Sequence, residues 1–163
     1  MRMTGIALVL IALACIHEAE LLNADFDDLK RRVVGTWTFT ENGQSYDATF
    51  EALAHGHAIL DRNSGFIAVY YPDGVHSLLM TLYTRDGNQP RLRAKGSSEN
   101  PNQMIFVFRD ITNWKKGTEH ISGLDLFFKD RDHLIEKWET LKPDGTKGHF
   151  EFELTRKTPN VQH

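Results

Sequence analysis

Three polar side chains of one parity stand together near the middle of the chain: Gln89, Arg91 and Arg93, in the run GNQPRLRA that ends at Ala94. Successive side chains of an extended strand point to opposite faces, so these three share one face and Pro90, Leu92 and Ala94 the other. A carboxylate of matching character occurs in His133–Leu141, where Leu134, Glu136, Trp138 and Thr140 share a face whose apolar members argue that it points inward. A buried carboxylate needs a partner, and Arg91 or Arg93 can supply one with a bidentate fork. Tyr83, in phase with Leu79 and Thr81, extends the set. The chemistry of such a set is recognition. It forms a polar anchor in an apolar cavity, holding the polar end of a small amphipathic or acidic organic ligand while Trp138, Phe106 and Phe108 line the apolar part. The same residues admit three other readings. Glu136 and an arginine can form a buried ion pair that only fixes strand register. The alternation can take the opposite phase, with Leu92 inside and the arginines in water. Or Glu136 can act as the general acid or base of an enzyme, its pKa raised by desolvation or lowered by a close arginine.

Other chemistries find little support. The single cysteine, Cys15, lies near the N-terminus, no G-x-S-x-G occurs, and no glycine-rich loop leads from a strand into a helix. His55-Gly56-His57 has the spacing of two metal ligands on a strand, but Gly56 suggests a turn and no third ligand stands nearby, so no metal is expected. His76, His120, His133 and His149 fall on turns or polar faces. One of them as an axial haem ligand is the outside alternative to a chain without cofactor, and a purely structural envelope barrel with a filled core is the other. The formal charge of −3 gives no basic field for nucleic acid. Trp114-Lys115-Lys116 reads as a loop that can gate a cavity mouth rather than as a nucleic-acid patch.

The elements that position these residues follow from periodicity. Asn23–Val34 carries Phe26, Leu29 and Val33 on one stripe, with Asp27 and Asp28 in its first turns and Lys30, Arg31 and Arg32 at its C-terminal end, as a helix dipole favours. Gly35 ends it. From Thr36 onward the period is two. Strands are expected at 36–40, 46–52, 58–61, 66–71, 77–84, 91–94, 104–110, 121–128, 133–141 and 149–156, joined by turn signals such as Asn42-Gly43, Pro72-Asp73-Gly74 and Pro143-Asp144-Gly145. About ten short strands in sequential hairpins make an up-and-down meander, and closing it into a barrel removes its edges. The fold class is therefore all-β, a single antiparallel barrel with a short helix plugging one end. Gly35-Thr36-Trp37 opens the first strand and Arg156 ends the last. In a closed barrel those strands are neighbours, and Arg156 can lie over the Trp37 ring.

Beyond this architecture, the stretch from Leu29 to Arg156 resembles a bacterial family of lipocalin-like β-barrel proteins. The resemblance rests on Tyr70–Gly74, Tyr83, Gly87-Asn88-Gln89-Pro90-Arg91 with Arg93, and Asp132-His133 with Glu136 and Trp138, besides the G-x-W of the first strand. It implies a single lipocalin-like barrel, exported or cytosolic, with no assigned activity. Members commonly carry His and Cys on either side of the central tyrosine, where this chain has Leu82 and Thr84.

The N-terminus reads as an export signal. Arg2 gives a positive start, Gly5–Ala14 is an apolar run too short to span a bilayer, and Ala12-Leu13-Ala14 is a small-residue cleavage pattern. Residues 1–19 are assigned to the signal, 23–157 to the barrel and 158–163 to a frayed tail. Cleavage before Cys15 would permit a lipid anchor, the only membrane attachment expected. A cysteine-free body on an exported chain suits the bacterial periplasm or outer surface.

Overall fold

The computed structural model describes residues 24–158, apart from 64, 75, 97 and 98. The signal segment and most of the proposed tail thus lie outside the described residues. Helix α1, Ala24–Val33, leads into ten strands: β1 Gly35–Glu41, β2 Gln44–Leu53, β3 Ala58–Arg62, β4 Phe66–Pro72, β5 Leu78–Thr84, β6 Gln89–Ala94, β7 Gln103–Thr112, β8 His120–Phe128, β9 His133–Leu141 and β10 Lys147–Arg156. Each pairs antiparallel with the next, and β1 pairs with β10, so the meander closes into a barrel. The all-β, up-and-down barrel expected from the sequence is the observed fold, and the helix precedes it.

α1 forms where its charges permit. Asp27 pairs with Lys30, and Asp28 with Arg31 and Arg32, at 2.7–2.9 Å. Its stripe of Phe26, Leu29 and Val33 is buried in the barrel core. Alternation then fills the lumen from every side, with Trp37, Phe50, Ile59, Met80, Leu92 and Phe106 among the fully buried side chains. Small barrels close over side chains in this way.

The seam between β1 and β10 is short. It comprises Trp37 opposite Arg156 and Thr38 opposite Thr155, whereas β1 and β2 pair from Gly35–Phe50 through Glu41–Gln44. Arg156 reinforces it. Its guanidinium lies 4.1 Å from the Trp37 ring and donates to the carbonyls of Arg32, Val34 and Arg131. Trp37 Nε1 donates to the Val33 carbonyl at 2.7 Å. Two of the last carbonyls of α1, those of Arg32 and Val33, which a helix leaves without partners, are thus met by the two seam residues. Burial is the main influence on the Arg156 pKa and lowers it. Gly35 completes the arrangement: its φ is +140°, and a Cβ there would come within 2.6 Å of Arg156 Nη1.

Two strands carry a bulge. In β7 the partners of Arg91 and Leu92 are Asp110 and Phe108, so Arg109 is the extra residue. In β8 the partners of Ile121 and Gly123 are Thr140 and Glu139, so Ser122 is extra. A bulge reverses the facing of everything beyond it.

Candidate functional site

The residues singled out by sequence separate across the barrel wall. Glu136 and Trp138 point into the lumen, at 2% and 1% exposure. Arg91, Arg93, Gln89 and Tyr83 lie on the outer face. Leu92 and Pro90 are buried instead, so β6 adopts the phase that keeps both guanidinium groups in water. Its pairing with β5 puts Leu92 opposite Met80, both in the core, and the β7 bulge supplies Arg91 with a partner on the outside. Unbroken alternation would place Asp110 inside with Phe106 and Phe108, but the extra Arg109 turns it outward beside Arg91. There it accepts two hydrogen bonds from the guanidinium, one at 2.7 Å from Nη2. That hydrogen bond, and then the charge of Asp110, raise the Arg91 pKa. The expected pairing of Glu136 with Arg91 or Arg93 is therefore not formed. Gln89 accepts from Thr112 at 2.8 Å, and Tyr83 is 46% exposed, opposite Ile67.

In place of an arginine, Glu136 faces a second carboxyl and a phenol. Asp61 on β3 and Tyr70 on β4 are both fully buried in the barrel. Neither Asp61 oxygen nor the Tyr70 hydroxyl has a hydrogen-bond partner, while Glu136 accepts from Trp138 Nε1 at 3.1 Å. Burial raises the Asp61 pKa well above the ordinary carboxyl value, and the charge of Glu136 raises it further. Burial likewise pushes Glu136 up to about 7, against the opposing pull of the Trp138 hydrogen bond. The Tyr70 hydroxyl is raised by burial, then by Asp61 and Glu136. Sequence reasoning missed Asp61 and Tyr70. The signal was present, since Asp61 is in phase with Ile59, and Tyr70 with Phe66 and Ala68.

The two ends of the barrel differ. At the helix end are two grooves of about 690 Å³ each. Three of their arginines are already engaged, Arg31 and Arg32 with Asp28 and Arg156 with backbone carbonyls, while Arg131 is exposed at both. At the opposite end, the mouth, a pocket of about 300 Å³ opens between strand ends. Trp138 and Leu82 floor it, Phe66, Ile121 and Phe150 stand at its sides, and Thr84, Asn88, Glu119, His120 and Thr140 supply polar groups. The Trp138 ring packs edge-on against Phe66 and stacks with Phe150. His120 lies against Phe108 and Trp114, 5.2 and 5.4 Å between ring centres, so Trp114 does stand beside the mouth. The His120 Nδ1 is buried without a partner. Asn88, 5% exposed, accepts from Thr84 at 2.9 Å. Phe106 is enclosed in the core, whereas Phe108 is 40% exposed.

Among the described residues no three His, Cys, Asp or Glu side chains are grouped to hold a metal. His55 and His57 flank a turn, His55 with φ of +56°, and both are exposed. His76, His133 and His149 are also exposed. Among the described residues no helix is long and apolar enough to cross a membrane. No protein-family model matches the chain, and comparison with curated proteins likewise finds no match.

Proposed function

We propose that this chain is an exported binding protein that takes a small amphipathic organic ligand into the mouth of its barrel. The observation that carries the reading is the 300 Å³ pocket, floored by Trp138 and ringed by polar side chains. A concave site with an apolar base and a few convergent polar groups is the usual form of a small-molecule site. The aromatic rings of Phe66, Trp138 and Phe150 suit a flat apolar body. Thr84, Asn88, His120 and Thr140 suit its polar end. Of the residues expected to hold the ligand, Trp138 lines this pocket, while Tyr83, Gln89, Arg91 and Arg93 face away from it. Binding is preferred to general acid–base chemistry at Glu136, whose carboxyl is buried next to Trp138 on its helix-end side and has no arginine beside it.

The test is titration with 1-anilinonaphthalene-8-sulfonate, an amphipathic anionic dye that accepts excitation from tryptophan. Saturable binding at one site, with quenching of Trp138, is expected. Phe150→Ala, which removes a half-exposed ring from the rim, should weaken dye binding roughly tenfold, the effect of losing one aromatic contact, with little change in melting temperature. Equal dye binding by Phe150→Ala and the parent protein would reject the mouth as the site.

A further inference from the structure

We propose that the lumen between β3, β4 and β9 is a cation subsite, in which Asp61, Glu136 and Tyr70 together hold a small ammonium group or a hard metal ion. Two carboxyls and a phenol, from β9, β3 and β4 of the closed barrel, are enclosed in its interior at 2% exposure or less, close enough that Glu136 acts on Asp61 and both carboxyls act on Tyr70. Three of their oxygens, both of Asp61 and the Tyr70 hydroxyl, lack a partner. Their cross-strand neighbours offer no donor. Leu126 and Phe152 flank Glu136, Phe50 and Ala68 flank Asp61, and Ile59 and Met80 flank Tyr70. Every described lysine and arginine is at least partly exposed, so none neutralises the pair from within the lumen.

Buried acceptors that the chain leaves unmatched call for a species that brings donors or positive charge. Water brings donors alone. A cation also offsets the burial, and after it the repulsion from Glu136, that push the Asp61 pKa upward. The ligand set is oxygen throughout, which suits an ammonium or a hard ion rather than a soft transition metal. The site is on the helix-end side of the Trp138 floor, shares no lining residue with the mouth pocket and touches it through the Trp138 Nε1–Glu136 hydrogen bond, so it is tested with the mouth empty.

The experiment is thermal unfolding of the full chain at pH 8 in chlorides of ammonium, methylammonium, sodium, potassium, magnesium and calcium. Tetramethylammonium, too large and without donors, matches the ionic strength. At least one small cation should raise the melting temperature roughly 5–10 °C above the tetramethylammonium control at a hundredfold excess over its Kd. Response to ammonium and methylammonium alone would identify an amine site, and response to metal ions alone an ion site. Asp61→Asn should abolish the cation-specific rise. Tyr70→Phe, which keeps both carboxyls, should weaken binding roughly tenfold, as loss of one buried hydrogen bond does. Calorimetric titration of the parent protein with the same salts reads binding directly should Asp61→Asn not fold. A parent protein that responds to no small cation beyond the tetramethylammonium control would overturn the proposal. So would shifts that Asp61→Asn reproduces in full.

Discussion

The Arg156 guanidinium spreads its donors over three backbone carbonyls while covering the Trp37 ring, and Gly35 leaves the space it occupies. Removing it exposes the end of α1 and the shortest seam of the barrel at once. Arg156→Ala should cost about 2–4 kcal/mol, from the cation–π contact and hydrogen bonds of a charged donor, and lower the melting temperature by roughly 5–15 °C. Arg131→Ala is the control, because Arg131 serves the seam through its carbonyl and should change stability by less than about 0.5 kcal/mol. Gly35→Ala should resemble Arg156→Ala, since the new methyl meets Nη1 at 2.6 Å. Combined with Arg156→Ala, its cost should fall well below the sum of the two, and strict additivity would mean that they do not interact. Glu136 sets a second prediction at this scale. Its folded pKa of about 7 lies above the unfolded value of 4.5, so the folded state holds its proton more tightly. Stability from this group is complete below about pH 4.5 and declines as pH rises through 7. The loss is on the order of 3 kcal/mol, at about 1.4 kcal/mol per unit. The raised pKa of Asp61 extends the loss in the same direction. In a buffer whose only cation is tetramethylammonium, melting temperature should fall between pH 5 and pH 8. Glu136→Gln should flatten that fall, and an equally steep fall in the variant would refute it.

At the scale of elements, the seam and the bulges govern what the barrel can do. β1 and β10 part after Thr38 and Thr155, and the gap toward the mouth is occupied by rings: Phe39 packs on Tyr46 and Phe152, and Phe152 on Phe150. Amides of β10 that point toward β1 beyond Thr155 have no strand to donate to. They should exchange with solvent faster than those pointing to β9, whose pairing runs from Lys147 to Thr155. Residue-resolved hydrogen exchange would show this as alternating protection along β10, and uniform protection would indicate that the seam closes fully. The bulge at Arg109 decides which side of the wall Asp110 occupies, and hence that Arg91 finds its carboxylate outside. Deleting Arg109 would restore alternation and turn Asp110 toward the lumen.

For the molecule as a whole, a filled barrel with one plugged end leaves the mouth as the way in. α1 covers the other end with Phe26, Leu29 and Val33. Processing at or just before Cys15 is the expected outcome. N-terminal sequencing of mature protein and palmitate labelling in a bacterial host would separate the lipid-anchored form from the free one. Mature protein that retains Met1 would rule out both.

The sequence by itself determined the strand count, the meander, the helix ahead of it and the meeting of Trp37 with Arg156. These follow from local periodicity, turn residues and the adjacency that closure forces on first and last strands. It also determined that Glu136 shares the inward face of Trp138, because the apolar neighbours of β9 leave one choice of phase. Only the tertiary structure decided where the arginines go. QPRLRA fits either phase, with Leu92 or the guanidinium groups inside, and the choice depends on what the neighbouring strands present. A single extra residue at Arg109 carried Asp110 to the outer face, and alternation within one strand cannot reveal a bulge. The convergence of Asp61 with Glu136 likewise belongs to closure. The two lie on strands that share no ladder, and they face each other because the sheet curves round to bring them across the buried lumen.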